Sequence, residues 1–322
     1  MDLRLGQGYR DWVEFILPYK TGRRRYIRGG SNLTKKSRIL IANIVFLLPF
    51  LILYIMFTIF PMIQGLYMSF FKWTIIRKMD FVGLTNFQKM LVDSDFWDAV
   101  KNTTFFVIIS TPFMVATALL LALISNRKTK FVKFFRITFF VPFILSVSVV
   151  SYLAIFMLQP YTGLVNSFIH ICGIKAEPYW LADPRLAWVS ITATTIWWTV
   201  GFNMILYLSA LQEIPDEIHE AASLDGANNA QYFFKIILPL ITPITKIIVM
   251  LQILASFKVF AQIYLITKGG PGSATRPIIQ YIYETGFTKS SLGYASAMSY
   301  GLFIILVIIT LIQFKITKEK EA

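Results

Sequence analysis

The chain has 322 residues, of which 56% are apolar and only 15% charged, with a formal net charge of +14 and a single cysteine, Cys172. Soluble domains carry about 25% charged residues, so this composition excludes an ordinary soluble domain of this size and fits a chain with much of its surface in lipid. One cysteine excludes an internal disulfide, and with no Cys/His cluster at ligand spacing no metal site is expected.

A membrane-crossing helix needs about 20 mostly apolar residues, and six such runs occur, at 39–60, 100–125, 134–158, 187–211, 240–266 and 292–314. They are continuous, whereas barrel strands alternate over about 10 residues. Lipid offers the backbone no partner outside a helix or closed barrel. The expectation is an all-α membrane protein with six transmembrane helices.

Residues 1–38 hold ten Lys or Arg against three acids. The loop after the second run carries Arg127, Lys128, Lys130, Lys133 and Arg136 without an acid, while 61–99 balances four bases with four acids. Bases beside spans mark the cytoplasmic side, so both termini are expected there, and the first span is expected to be retained as an anchor rather than cleaved. The same placement, beside spans rather than in one patch, argues against a nucleic-acid partner.

Three parts are expected: a basic cytoplasmic segment at 1–38, a six-helix membrane domain at 39–315 and a cytoplasmic tail at 316–322. Residues 9–19 mix aromatics with charges. They read either as a helix lying on the inner leaflet, with Arg23, Arg24, Arg25 and Arg28 at anionic head groups, or as a basic orienting tail. The first span is expected to end at Pro61, and Trp73, Phe96 and Trp97 follow where interfacial aromatics belong. In the sixth run Gly293, Ala297 and Gly301 are spaced by four, a face on which another helix can approach closely. Neither His170 nor His219 has a partner at metal-ligand spacing.

The segment between the fourth and fifth runs breaks the pattern. Residues 212–239 face the cytoplasm by the charge rule yet hold five acids and one base. Pro215 suits a first helical turn, Asp216 and Glu217 suit the positive end of a helix dipole, and Gly226 suits a left-handed helix end. The picture is a short rigid helix at the membrane surface, shaped to enter a groove on another protein.

Glu220-Ala221-Ala222, Asp225-Gly226-Ala227, then Phe233, Ile236, Leu238 and Pro239 resemble the EAA loop of permease subunits of binding-protein-dependent ABC importers. Residues 208–215, Gly163-Leu164-Val165-Asn166 and Gly269-Gly270-Pro271 are similar to the carbohydrate-importing, maltose-type members, and the likeness covers roughly residues 40–315. The chain lacks the extra N-terminal spans and the large outer domain of the maltose permease itself. The resemblance implies a type I importer permease fold in a bacterial cytoplasmic membrane. It also implies a second, non-identical permease, two ATPase subunits that carry ATP and Mg, an extracytoplasmic solute-binding protein and an oligosaccharide substrate. Glu220, Ala221, Ala222, Asp225, Gly226 and Ala227 would couple the chain to an ATPase. The chain itself would be no enzyme and hold no cofactor: it has no GxxxxGK[ST] phosphate loop.

Sugars are met by aromatic faces and hydrogen-bonding groups. The fourth run offers Trp197, Trp198, Thr199, Phe202 and Asn203, and the fifth offers Gln252, Ser256 and Lys258. The resemblance points to these stretches as the substrate path, with Trp197 as the residue matched in type; packing aromatics are the alternative. Gln252 and Ser256, four apart, share a helical face. Lys258 is expected deep inside the fifth span, where an ammonium usually faces a polar cavity or snorkels outward, and on an ideal helix it points roughly 200° from Ser256. A carboxylate on the sugar would offset its desolvation. A secondary transporter is the alternative function, but no internal repeat supports it. A membrane enzyme would need a converging acid, base or metal set that the sequence does not offer.

Overall fold

The computed structural model describes residues 35–127 and 130–318. The helix weighed at 9–19, the arginines at 23, 24, 25 and 28, Lys128 and the end of the C-terminal tail lie outside the described residues.

The chain divides into two units, residues 1–60 and 61–322. In the first, α1 (Lys35–Tyr54) passes into a wide turn, Ile55–Ile59, where the Phe60 N–H donates to the Ile55 carbonyl five residues back. The helical run does not stop at Pro61, as expected from the sequence, but continues as α2 (Phe60–Ser69). A proline cannot donate to the carbonyl four residues before it, and its ring crowds that carbonyl. A widened turn just ahead relieves the crowding. The same device recurs at Phe233–Ile237, two residues before Pro239.

The second unit opens with a hairpin, β1 (Phe71–Trp73) against β2 (Lys78–Phe81), antiparallel, and a short helix, α3 (Thr85–Val92). Its longest helix is α4 (Ser94–Ser125). Asp93 caps it, one carboxylate oxygen accepting from the Asp95 and Phe96 N–H groups. The other accepts from Tyr281 at 2.7 Å and from Tyr294. Buried residues along α4 recur every three or four positions, from Phe96 and Ala99 to Met114, Ala118 and Leu121, the period of one helical face. That face packs on α8 (Pro184–Gln212) through Val200, Met204, Tyr207 and Leu208.

Two of the expected spans are not straight. The third run is α5 (Val132–Ile144) and α6 (Val147–Met157), bent by 103°. Ser146 starts the second piece by accepting from the Val149 N–H, and the Trp198 indole donates to the stranded Leu145 carbonyl at 3.2 Å. Beyond a short helix, α7 (Leu164–Ile171), α8 comes so close to α5 that a methyl on Gly201 would strike the Phe139–Phe140 backbone.

The residues between the fourth and fifth runs form α9 (Asp216–Leu224) and α10 (Asn229–Tyr232). The fifth run follows as α11 (Leu238–Leu240) and α12 (Thr242–Phe257), with a 65° bend between Asn229–Leu240 and Thr242–Phe257, and then α13 (Ala261–Ile266). Pro239 and Pro243 bracket that bend. The helix ends at Phe257, and Lys258 is the residue that caps α12.

After α14 (Ile278–Tyr283) the chain closes with α15 (Leu292–Lys318). Its small-residue face is already occupied within this chain. A side chain on Gly293 would meet backbone atoms of Met68, Phe71 and Trp73, Ala297 is fully buried, and Gly301 lies against Met90 and Phe96. The close-packing face that the spacing predicts is filled within this chain, by the hairpin, by Met90 of α3 and by the start of α4.

Among the described residues, four helices are long and apolar enough to cross a membrane, at Asn43–Ser69, Ser94–Ser125, Pro184–Gln212 and Leu292–Lys315, and the two bent pairs also qualify. This is a multi-pass helical membrane protein.

Candidate functional site

The loop after α8 folds into a fixed knob. Pro215, extended at ψ 143°, precedes α9 as its cap rather than occupying the first turn, and Asp216 and Glu217 fill that turn. At the other end the Ala227 N–H donates to the Ala222 carbonyl and the Gly226 N–H to that of Ser223, at 3.0 and 3.1 Å. This double bond pattern requires a left-handed residue, and Gly226 supplies it at φ +75°. Asn228 and Gln231 then cap α10 reciprocally, as a capping box does.

The knob is anchored on one side and bare on the other. Ile214, Tyr232 and Phe233 pack on the α4–α8 core, and the His219 ring meets Tyr232 at 4.9 Å. Ala222 is buried, whereas Glu220, Ala221, Asp225 and Gly226 are exposed and Leu224 is 89% exposed. Ala227 is half-buried. Leu224 thus stands clear of the core on a helix whose two ends are both fixed.

The second site is a cavity of about 610 Å³ between α8, α12 and the break of the third run. From α8 it receives Trp198, Thr199, Phe202 and Asn203; from α12 and its end, Gln252, Ser256 and Lys258. Trp197 is not among its walls: it is 45% exposed on the far side of α8, because neighbouring helical positions do not share a face.

Most polar groups at this cavity are tied to one another. Asn203 Nδ2 donates to Gln252 Oε1 at 3.4 Å, Gln252 Nε2 donates to Ser256 Oγ at 3.1 Å, and Ser256 Oγ lies 3.2 Å from Ser110 Oγ. Thr199 donates to the Thr195 carbonyl, and the Trp198 N–H is spent on Leu145. Two donors stand outside this network. Lys258 is exposed, with no carboxylate at ion-pairing distance among the described residues. Gln262 holds its Oε1 on Thr195 at 3.1 Å and leaves Nε2 buried without a partner.

Because α12 stops at Phe257, Lys258 escapes the ideal-helix direction and lines the same cavity as Ser256. Sequence reasoning missed Gln262, Thr195, Phe143 and Phe260 in this wall. Phe143 stacks on Phe202 at 5.2 Å and belongs to the broken run, so only the break brings it here.

Residues 94–318 match the model of the family described as binding-protein-dependent transport system inner membrane component. The chain is 34% identical over 278 residues to the probable ABC transporter permease protein YurN of Bacillus subtilis, covering 85% of this chain and 95% of that one. It is likewise 34% identical over 278 residues to the multiple sugar-binding transport system permease protein MsmF of Streptococcus mutans, covering 86% and 95%. Among solved structures it is similar to a chain of a bacterial ABC transporter involved in the import of the acidic polysaccharide alginate. The TM-score is 0.78 at 28% identity, over 88% of this chain and 96% of that one. The chain belongs to the binding-protein-dependent transport system inner membrane component family, the permease subunits of ABC importers.

Proposed function

We propose that this chain forms one half of the translocation path of an importer of sugars or oligosaccharides, and that the substrate is anionic. The observation that carries this reading is the cavity wall. Aromatic faces from Trp198, Phe202 and Phe143 surround a polar network whose members are mostly tied to one another, leaving the Lys258 ammonium and the Gln262 amide N–H to meet a ligand. An ammonium with no carboxylate at ion-pairing distance favours one on the ligand. The multiple-sugar transport system named for MsmF supports a sugar importer, and the acidic polysaccharide imported by the alginate transporter supports an anionic substrate.

In this reading the chain crosses a bacterial cytoplasmic membrane six times, each bent pair counting once, with both termini inside. A 39–315 membrane domain lies between a basic 1–38 segment and a short tail. It pairs with a second, non-identical permease. Two ATPase subunits carry ATP and Mg, this chain holding no cofactor, and one of them receives α9 in a groove through Glu220, Ala221, Ala222, Asp225, Gly226 and Ala227. An extracytoplasmic binding protein delivers the sugar.

The experiment is ATP hydrolysis by the complex in vesicles, stimulated by binding protein loaded with oligouronates or with neutral oligosaccharides. Wild type should respond to the acidic ligand. Lys258→Met should lose that response by about tenfold, the order expected from removing one desolvated charge contact. A wild type that responds to neutral sugars alone would end the anionic reading, and uptake insensitive to vanadate would end the importer reading.

A further inference from the structure

A second polar pocket, of about 510 Å³, opens where α3 meets α4, α14 and the start of α15. Its two source segments, 61–99 and 267–291, fall on the outer side if six spans alternate from an inside N-terminus. Lys89 and Lys289 stand at it, the first ammonium 4.4 Å from the centre of the Tyr294 ring and the second 5.4 Å from that of Tyr281. Neither has a carboxylate at ion-pairing distance among the described residues.

The acid between them does not neutralise them. Asp93 is saturated by two tyrosine hydroxyls and two backbone N–H groups. Arg276, close by, is taken up by Asp95 and Glu284 at 3.0 and 3.8 Å. The remaining lining is hydroxyl: Ser94, Ser291 and Thr285. Thr285 is only 3% exposed, and its Oγ1 has no hydrogen-bond partner. Native proteins seldom leave such a group unmet. Two lysines without a carboxylate partner, beside one ionised acid whose hydrogen bonds are already taken, leave the pocket net positive and favour a further anion. Val92, 83% exposed at its edge, gives the rim an apolar contact.

We infer that this outer pocket docks an acidic side chain of the solute-binding protein, Lys89 and Lys289 reading its carboxylate. The inference rests on the proposed orientation and on delivery by a binding protein. It is separate from the sugar cavity, sharing none of its lining. Charge complementarity selects the occupant: a protein that must approach the outer face repeatedly and leave again is served by charged contacts that set on-rate and register.

The test uses the intact complex in vesicles with its binding protein and reads the half-saturating binding-protein concentration for ATP hydrolysis. The double variant Lys89→Glu, Lys289→Glu should raise that concentration by about tenfold or more. Lys89→Gln with Lys289→Gln should raise it less. Added salt should weaken docking in wild type and do so less in the Glu variant. A binding-protein Asp or Glu changed to Lys that restores affinity to the Glu variant would identify the docking acid.

Unchanged half-saturation in both variants at low salt overturns the inference. So does a rate that follows the phosphatidylglycerol content of the vesicles and loses that dependence in the variants at unchanged half-saturation, because the pocket then holds a lipid head group. If the Glu variant does not assemble, the Gln variant carries the same reading. Wild type unresponsive to any binding protein overturns this inference together with the delivery reading; a responsive wild type with charge-insensitive docking overturns this inference alone.

Discussion

Asp93 is the residue on which the outer end of the bundle turns, because one carboxylate caps α4 and ties α14 and α15 to it. Burial alone would push its carboxyl up, but the hydrogen bonds from Tyr294, Tyr281, Phe96 and Asp95 outweigh that and hold it below its ordinary 3.8. Burial and the nearby Asp93 charge push the Tyr281 hydroxyl up, which keeps it a donor. A depressed acid stabilises fully above its unfolded value and loses that contribution as pH falls through the folded one. Thermal stability should therefore be insensitive to this group from pH 5 to 8 and fall only below about pH 3.8. Asp93→Ala should cost about 1–3 kcal/mol, a lost cap plus two stranded hydroxyls; an unaltered melting temperature at pH 7 would count against the node. Gly201 fails for a different reason: Gly201→Ala drives a methyl into the α5 backbone, an overpacking of about 1–3 kcal/mol, to be read as a lower melting temperature of the purified complex.

At the scale of elements, α9 was legible because its signals are local. The cap residues, the acids of the first turn and Gly226 all act within a few positions of one another, and each is found where the spacing put it, apart from the one-residue shift of Pro215. Nothing lies within 4 Å of the Cβ position of Gly226, so its requirement is backbone conformation alone. Gly226→Val should thus uncouple ATP hydrolysis from transport without loss of membrane insertion. Gly226→Asn, tolerant of the left-handed region, should retain an intermediate rate; equal rates for all three proteins would show that the helix end does not matter. The bends were not legible from apolar run length. Pro142 and Ser146 mark the break in the third run, and Pro239 and Pro243 the bend in the fifth, yet a sliding count of apolar residues passes over all four. The end of α12 at Phe257 carries no such marker: Lys258 adopts φ −94°, ψ 8° inside an apolar stretch that reads as unbroken.

For the molecule as a whole, the most apolar part of the first span, within Asn43–Ser69, has none of its residues buried by this chain, and exposed apolar surface of this extent calls for lipid or a protein partner. Affinity purification from cells expressing the neighbouring transport genes should recover a second permease in equal amount; a functional complex containing two copies of this chain would contradict the heterodimer. The small-residue face of α15 no longer supports that pairing, since the chain fills it itself. The sequence by itself determined the membrane class, the number of apolar runs and the short capped helix α9, because hydropathy and capping are properties of contiguous residues. Only the tertiary structure decided which polar residues share a cavity. Trp197 lies outside its lining, Gln262 is within it, and Lys258 lines it together with Ser256, because each depends on where a helix breaks and which face a neighbour covers. Asp93, Tyr281 and Tyr294, up to 201 positions apart, meet only because α4, α14 and α15 pack together, a contact that no local pattern encodes.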